Sequence, residues 1–455
     1  MFDDTIAAIA TPIGTGGIGI IRISGQDALS VLKKIFRSRE KNFISHRIYY
    51  GFIFDADKNN LLLDEVLVMI MLAPRTYTRE DVVEINCHGG LICVNKILDL
   101  VIKNGARLAE PGEFTKRAYL NGRIDLSQAE AVTDIINAQN NLANNVAFEQ
   151  LKGKLSRKIN LCMIKILDIL GLIEAAIDYP DEYEIKNNDI YIKVLEIIEL
   201  VKNLIDSANT GDIIKNGINI AIIGKPNVGK SSILNAVSQK DSAIVTDIAG
   251  TTRDVIHEVI NIDGITAKIL DTAGIHETSD KIENLGIKKT LDCLKLADLV
   301  LFVFDWSRKF ELDDKNLIDI CKKEDKKILF VANKIDLEQK LFLEDKKIDS
   351  ELVKISAQKN MGIKNLINKI KDLVLEKNIL DKSEQVFICN KRHEDALRKA
   401  YKSLLKALGT SKNEMPCDLV AIDLRDAYDF LGEITGESVS DKIIDEIFSK
   451  FCVGK

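Results

Sequence analysis

At 455 residues, with 46% hydrophobic and 29% charged side chains, the chain is too long for one ordinary core and too apolar to be disordered. Two or three domains are expected, and the formal net charge of −6 excludes a global basic field that would draw the chain onto nucleic acid, leaving only local patches. The eight cysteines form no CxxC pair, which reads as reduced thiols in a cytoplasmic setting.

The opening MFDDTIAAIA carries acids where a leader would carry Lys or Arg, and no uncharged apolar run approaches the ~20 residues of a membrane span. Residues 1–119 mix β-like runs (IGIIRIS, LDEVLVMIML, DVVEINCHGG) with one or two helical stretches, predicting a small α+β domain. Within it, Cys87 beside His88 would be half a metal site, but nothing nearby in sequence completes it. From Leu126 to Pro180 apolar residues recur at helical spacing without a proline, and IYIKVLEIIELVKNLIDSA continues the pattern, predicting long helices over 120–216. At Ile218 the period changes. INIAIIG, VLFVFD and ILFVAN are buried-strand runs of a βαβ arrangement over 217–378, and ALRKAYKSLLKAL, CDLVAIDLRDAYDFLGEI and SDKIIDEIFSKF return to helix over 379–455. The simplest architecture is an α/β domain inserted into a discontinuous helical domain, with Gly217 and Leu380 near the two hinges.

GKPNVGKS, Gly224 to Ser231, fits G-x-x-x-x-G-K-[ST] directly after a strand, the context a phosphate loop requires. Its glycines let backbone N–H groups converge on phosphate oxygens, Lys230 neutralises the β and γ phosphates, and Ser231 offers a hydroxyl to Mg²⁺. The motifs TTRD (Thr251 to Asp254), DTAG (Asp271 to Gly274), NKID (Asn333 to Asp336) and SAQ (Ser356 to Gln358) follow in order. Thr252 can close on Mg²⁺, Asp271 can hold the metal through water, and Gly274 can offer its N–H to the γ-phosphate. The Asp336 carboxylate can accept from guanine N1–H and N2–H₂, a donor pair adenine lacks, which selects GTP over ATP. Five motifs in this order predict a Ras-like GTPase domain. The nucleotide contacts expected are Asn227, Val228, Gly229, Lys230, Ser231 and Ser232; then Thr246, Asp247, Ile248, Ala249, Gly250, Thr251 and Thr252; then Asp271, Thr272, Ala273 and Gly274; and finally Asn333, Lys334, Asp336, Ser356, Ala357 and Gln358.

Ras-type enzymes place a water-orienting glutamine just after DTAG, and here Ile275 stands there. His276, Glu277, Glu283 and Arg253 are the candidates for the missing role. His276 and Glu277 read equally as solvated loop residues, Glu283 as a surface acid, and Arg253 as a salt-bridge partner. Asn227, with switch carbonyls, could hold a monovalent cation against the phosphates, or could simply favour the turn.

Across essentially all of its length the chain resembles the MnmE (TrmE) family of tRNA modification GTPases. The resemblance is carried by ATPIGTGGIGIIRISG, PGEFTKRAYLNGRIDLSQAEAV, IEAAIDYPDEY, KPNVGKSSILNA, VTDIAGTTRD, DTAGI with IENLGI, ITGE and FCVGK. It implies an N-terminal domain that dimerises and binds a one-carbon tetrahydrofolate (5-formyl or 5,10-methylene), a helical domain and an inserted G domain. It further implies a homodimer joined by an MnmG-type FAD protein in a heterotetramer, adding an aminomethyl-type group at C5 of the wobble uridine of tRNA. Potassium-stimulated hydrolysis without an arginine finger is implied as well. Carried onto this chain, the K⁺ positions are Asn227, Thr246, Ile248 and Thr251, the Mg²⁺ positions Ser231 and Thr252, and the catalytic acid Glu283. The folate positions are Arg22, Glu84, Arg123 and Lys455. Arg22 and Glu84 read equally as a strand salt bridge. Arg123 stands where relatives often have Lys, Arg79 where glycine is frequent, and Val453 where isoleucine is. The rival function is a regulatory GTPase switch in ribosome assembly without modification chemistry.

Cys452, four from the end, occupies a prenylation position, but Gly454 and Lys455 are wrong for an aliphatic-aliphatic-X ending. The helical spacing of SDKIIDEIFSKF predicts that the tail docks. The resemblance implies a role for Cys452 in the tRNA chemistry.

Overall fold

The computed structural model describes residues 4–181, 187–238, 256–262, 264–271, 293–324, 326–343, 348, 351–374, 385–413 and 415–455. The chain falls into two compact units: Met1–Ile136, Phe148–Ile197 and Lys399–Lys455 form one, Asn137–Ala147 and Ile198–Arg398 the other.

The first unit is built on a seven-stranded sheet of β1 (Ile6–Ile9), β2 (Ile18–Ser24), β3 (Phe36–Arg37), β4 (Arg47–Asp55), β5 (Leu61–Met71), β6 (Val82–His88) and β7 (Arg107–Leu108), in the order β3-β4-β5-β6-β2-β1-β7. All pairs are antiparallel except β1–β7. Period-two patterning decides the faces. Tyr49, Gly51 and Ile53 of β4 are buried while Ile48 and Tyr50 face out. On the buried face lie α1 (Ala28–Ile35) and α2 (Leu91–Lys103), whose Val31, Leu32, Ile97 and Val101 share a core with Ile21, Ile23, Val68 and Ile85. A third helix, α3 (Glu113–Leu120), exceeds the one or two expected in this region.

Three helices, α4 (Leu126–Asn137), α5 (Asn141–Leu151) and α6 (Lys154–Asp178), replace an uninterrupted run. Asn140 makes the first break: its side-chain Oδ1 caps the Ala143 N–H at 2.7 Å. Gly153, at φ +78°, makes the second. Next come α7 (Asn187–Asp206) and α8 (Ala208–Asn216), which stops at Gly217, at φ +78°.

The second unit carries a six-stranded sheet of β8 (Ile218–Ile223), β9 (Ile256–Ile262), β10 (Ile265–Asp271), β11 (Leu299–Asp305), β12 (Lys327–Asn333) and β13 (Val353–Lys354), ordered β13-β12-β11-β8-β10-β9. Every pair is parallel except β9–β10. Alternation sends Ile218, Ile220 and Ile222 to one core and Ala221 and Ile223 to the other, so β8 is apolar on both faces, as a covered parallel strand must be. Around it stand α9 (Lys230–Ser238), α10 (Leu312–Lys323) and α11 (Ile363–Val374). The chain ends in α12 (Lys391–Lys412), α13 (Cys417–Thr435) and α14 (Asp441–Ser449), and α13 packs along α6. The architecture is therefore the expected one: an N-terminal α+β domain, a discontinuous helical domain and an inserted P-loop GTPase-type α/β domain. The hinge expected near Leu380 lies outside the described residues.

A fully buried cation anchors the first unit. Arg117 of α3 is 0% exposed. It donates to Glu80 Oε1 (3.1 Å), the Asp4 carbonyl (3.0 Å), Asp4 Oδ1 (2.8 Å) and Glu113 Oε1 (3.3 Å). Glu80 also accepts from Ser24 of β2 at 2.7 Å, and Glu113 pairs with Arg107 of β7. Burial pushes the Asp4 and Glu113 carboxyls up, but the guanidinium groups of Arg107 and Arg117 outweigh it and hold both below their ordinary values. Lowered acids contribute stability above the ordinary carboxylate range and lose it as pH falls through their folded values.

Removing one partner of such a network leaves uncompensated buried charge, so Arg117→Met is expected to cost about 3–5 kcal/mol in urea unfolding. A loss below about 1 kcal/mol, the range of an exposed pair, would show that the network does not anchor the unit.

Candidate functional site

Between β8 and α9 the chain makes the tight loop Gly224–Gly229. Asn227 and Gly229 both take positive φ, +63° and +93°. A Cβ on Gly229 would fall 2.3 Å from Asn333 Nδ2, and one on Gly224 2.4 Å from the Val303 carbonyl, so both positions need glycine to pack this closely. Lys230, first residue of α9, folds its ammonium back across the loop, donating to the carbonyls of Gly224 (2.7 Å) and Lys225 (3.0 Å). Ser231 and Ser232 are exposed in the first turn of α9. A positive helix end, a lysine ammonium and an open serine hydroxyl converge on one loop, a donor set that fits a polyphosphate with its Mg²⁺.

The carboxyl end of β12 supplies the opposite wall. Asn333 is buried; its Nδ2 donates to the Val228 carbonyl (2.9 Å) and its Oδ1 accepts from Ala357 N–H (3.0 Å), tying the phosphate loop to the SAQ segment. Lys334, at φ +68°, donates to the Asn227 carbonyl and to Asp305 Oδ2, both at 2.7 Å. The hydroxyl of buried Ser356 holds the Asp336 carboxyl below its ordinary value, with Lys359 3.8 Å away. Asp336 is thus an ionised acceptor at the sheet's carboxyl edge, while Gln358 is exposed. Asp305, last residue of β11, is tied to this wall by Lys334 and was not singled out from sequence. Burial raises its carboxyl, but Lys334 and Ser307 outweigh that and keep it below the usual range. The available signal was an acid closing an otherwise apolar strand run.

Asp271 ends β10 in parallel register with Ile222 of β8. The remaining nucleotide and catalytic expectations, Thr246, Asp247, Ile248, Ala249, Gly250, Thr251, Thr252, Arg253, Thr272, Ala273, Gly274, His276, Glu277 and Glu283, lie outside the described residues.

A second group of expected site residues meets on the first sheet. Arg22 of β2 and Glu84 of β6 are cross-strand neighbours joined Nε to Oε1 at 2.8 Å. Arg22 Nη1 also donates to the Gly454 carbonyl at 3.2 Å, so the chain's end is seated here. The Arg22 guanidinium stands 5.9 Å from the Tyr77 ring centroid and 5.7 Å from that of Phe114; Arg123 lies 4.7 Å from Tyr77. Tyr77, between two cations, was not singled out from sequence because nothing local marks it. Phe448 of α14 and Phe451 pack with Ala118, Ile124 and Leu126, and Gly112 N–H donates to the Cys452 carbonyl at 3.3 Å. Cys452 is exposed and Lys455 half-buried. The tail docks, as its helical spacing predicts.

Against known proteins, a model of the MnmE helical domain matches residues 126–452, and one of the GTP-binding protein TrmE N-terminus matches residues 5–123. The tRNA modification GTPase MnmE of Acetivibrio thermocellus is 49% identical over 100% of this chain and 99% of its own length. Those of Thermoanaerobacter pseudethanolicus and Clostridioides difficile are 48% and 47% identical, each over 100% of this chain and 100% and 99% of their own.

Gly454 sits at φ +93° with its missing Cβ 2.3 Å from the Ile9 carbonyl. Gly454→Ala is expected to weaken tail docking by about 1–2 kcal/mol, read as faster release of Lys455 by a basic-residue carboxypeptidase. Unchanged release would mean the tail is not held there.

Proposed function

Because the chain belongs to the MnmE family of tRNA modification GTPases, we propose that it hydrolyses GTP to drive C5 modification of the wobble uridine of tRNA. The coarser statement is plain: it is a GTPase of tRNA modification, binding GTP and Mg²⁺. The observation that carries the finer reading is the joining of phosphate loop, Asn333 and Asp336 in one chain with a tail seated on Arg22, itself paired with Glu84.

In this reading Asp336 reads guanine, Lys230 neutralises the β and γ phosphates, and Ser231 with Thr252 holds Mg²⁺. Glu283 orients the attacking water. Asn227, with Thr246, Ile248 and Thr251, holds K⁺. The K⁺, when bound, would supply the positive charge an arginine finger otherwise brings. The exposed ends of Asn227 and Ser231, and the left-handed turn that presents Asn227, support that assignment. On the first sheet, Glu84 suits the aminopyrimidine of a tetrahydrofolate, and Arg22, Arg123 and Lys455 suit its glutamate tail. Tyr77 adds a flat aromatic face beside both arginines. The tetrahydrofolate would supply a one-carbon unit, and Cys452, exposed beside this group, would act in its transfer to tRNA with an MnmG-type flavoprotein.

The proposed organisation is a folate and dimerisation domain over 1–119, helical segments over 120–216 and 379–455, and the G domain over 217–378. Exposed Ile48, Tyr50 and Leu67 on the outer face of β4 and β5 support pairing of two copies through the first domain. No described helix is long and apolar enough to cross a membrane, and the proposed location is cytoplasmic.

Deleting the gene and measuring tRNA nucleosides by mass spectrometry should show loss of the C5-modified wobble uridine; unchanged nucleosides would favour the ribosome-assembly switch. Cys452→Ser should leave GTP hydrolysis intact and abolish modification, and survival of the modification would reduce the tail to a structural role. Hydrolysis should run much faster in KCl than in NaCl, with Asn227→Ala removing the difference; equal wild-type rates would remove the potassium site.

A further inference from the structure

The fold gives Cys87 ligand partners other than its neighbour His88. Asp64 comes from β5, Cys87 from β6 and Cys93 from the first turn of α2, segments brought together only by sheet pairing and helix packing. One oxygen of Asp64 and the two sulfurs lie within 4.8 Å of one another. Cys93 Sγ donates to Asp64 Oδ2 at 3.2 Å, and the His88 backbone N–H reaches the same oxygen at 2.8 Å. His88 Nδ1 sits 2.6 Å from the other oxygen, Oδ1. Cys87 is buried, with its thiol donating to the Gly19 carbonyl at 3.3 Å; Cys93 is half-buried, and the Asp64 side chain is 10% exposed. None of these side chains has a part in the nucleotide or one-carbon readings.

From this juxtaposition we infer that Asp64, Cys87 and Cys93 form a binding site for a thiophilic divalent cation of the Zn²⁺ type. Bond lengths near 2.3 Å to sulfur and 2.0 Å to oxygen place tetrahedral ligand atoms about 3.5–3.8 Å apart, so the three atoms need only small shifts, with the Cys93–Asp64 pair opening slightly from 3.2 Å. Two sulfurs with one carboxylate favour Zn²⁺ over Mg²⁺ or Ca²⁺, which take oxygen ligands. Binding forms two metal–sulfur bonds and one metal–oxygen bond and releases the two thiol protons to solvent. His88 then acts as a positioning residue, its ring N–H fixing the Asp64 oxygen that does not bind. The fourth coordination position falls to water, because Cys93 leaves the site partly open. The cation would clip α2 to β5 and β6.

The test uses the full chain, reduced with a phosphine, stripped with chelator and titrated with Co²⁺ in excess Mg²⁺. One equivalent should bind with a thiolate-to-Co²⁺ charge-transfer band and tetrahedral ligand-field bands, both bleached by one equivalent of Zn²⁺. Cys93→Ser and Asp64→Asn should each lose the charge-transfer intensity or its tight phase, Cys162→Ser should change nothing, and His88→Ala should weaken binding about 10–100-fold. Far-ultraviolet circular dichroism checks that each variant is folded. Absence of the charge-transfer band in the wild-type chain, or its full survival in folded Cys93→Ser, overturns the site.

Discussion

A polar group removed from water must find partners inside the protein, and one buried side chain in each unit carries that constraint for the segments around it. In the first unit it is the Arg117 guanidinium, whose acids come from the N-terminal segment, the loop before β6 and α3 itself. In the second it is the Asn333 amide, which satisfies the Val228 carbonyl with one end and the Ala357 N–H with the other. Neither interaction can form until distant parts of the chain have met. Each therefore makes a functional surface conditional on the packing beneath it: the docked tail on α3, and the phosphate loop on β12.

Much of the second unit was legible in sequence because its signals are local. INIAIIG, VLFVFD and ILFVAN are contiguous apolar runs, and the phosphate loop follows its strand without interruption. The alternation in VVEINCH likewise places Glu84 on the face of β6 that Arg22 shares. What escaped was either non-local or dependent on one residue's conformation. Asn140 looks like an ordinary helical polar residue, yet its side chain bonds both the Ile214 carbonyl (3.2 Å) and Thr266 Oγ1 (3.0 Å) while capping α5. Tyr77 and Asp64 acquire meaning only from partners tens of residues away. Asp305 was visible as the end of a strand but not as the partner of Lys334, because the left-handed turn at Lys334 is not written in NKID.

The tail illustrates how length and burial interact. A terminus is disordered by default, since ordering each residue costs about 1–2 kcal/mol of backbone entropy. Here Phe448 and Phe451 bury their rings against α3 and α4, and Gly112 and Gly454 remove the Cβ atoms that would block the approach. Only then can the Arg22 guanidinium reach the Gly454 carbonyl, so a cation on β2 reads whether the last residues of the chain are in place.

At the nucleotide site the same logic links the two ends of the ligand. One ammonium, Lys334, bonds the Asn227 carbonyl in the phosphate loop and the Asp305 carboxylate at the end of β11. Asp336, two residues on, is the acid proposed to read the base. A shift of the phosphate loop must therefore break a charge-assisted bond of Lys334 or carry the NKID turn with it. In the proposed reading, base recognition and phosphate grip are therefore two faces of one hydrogen-bonded turn. The chain's net charge of −6 leaves the electrostatic attraction for a polyanionic ligand to local groups such as these, not to the field of the whole protein.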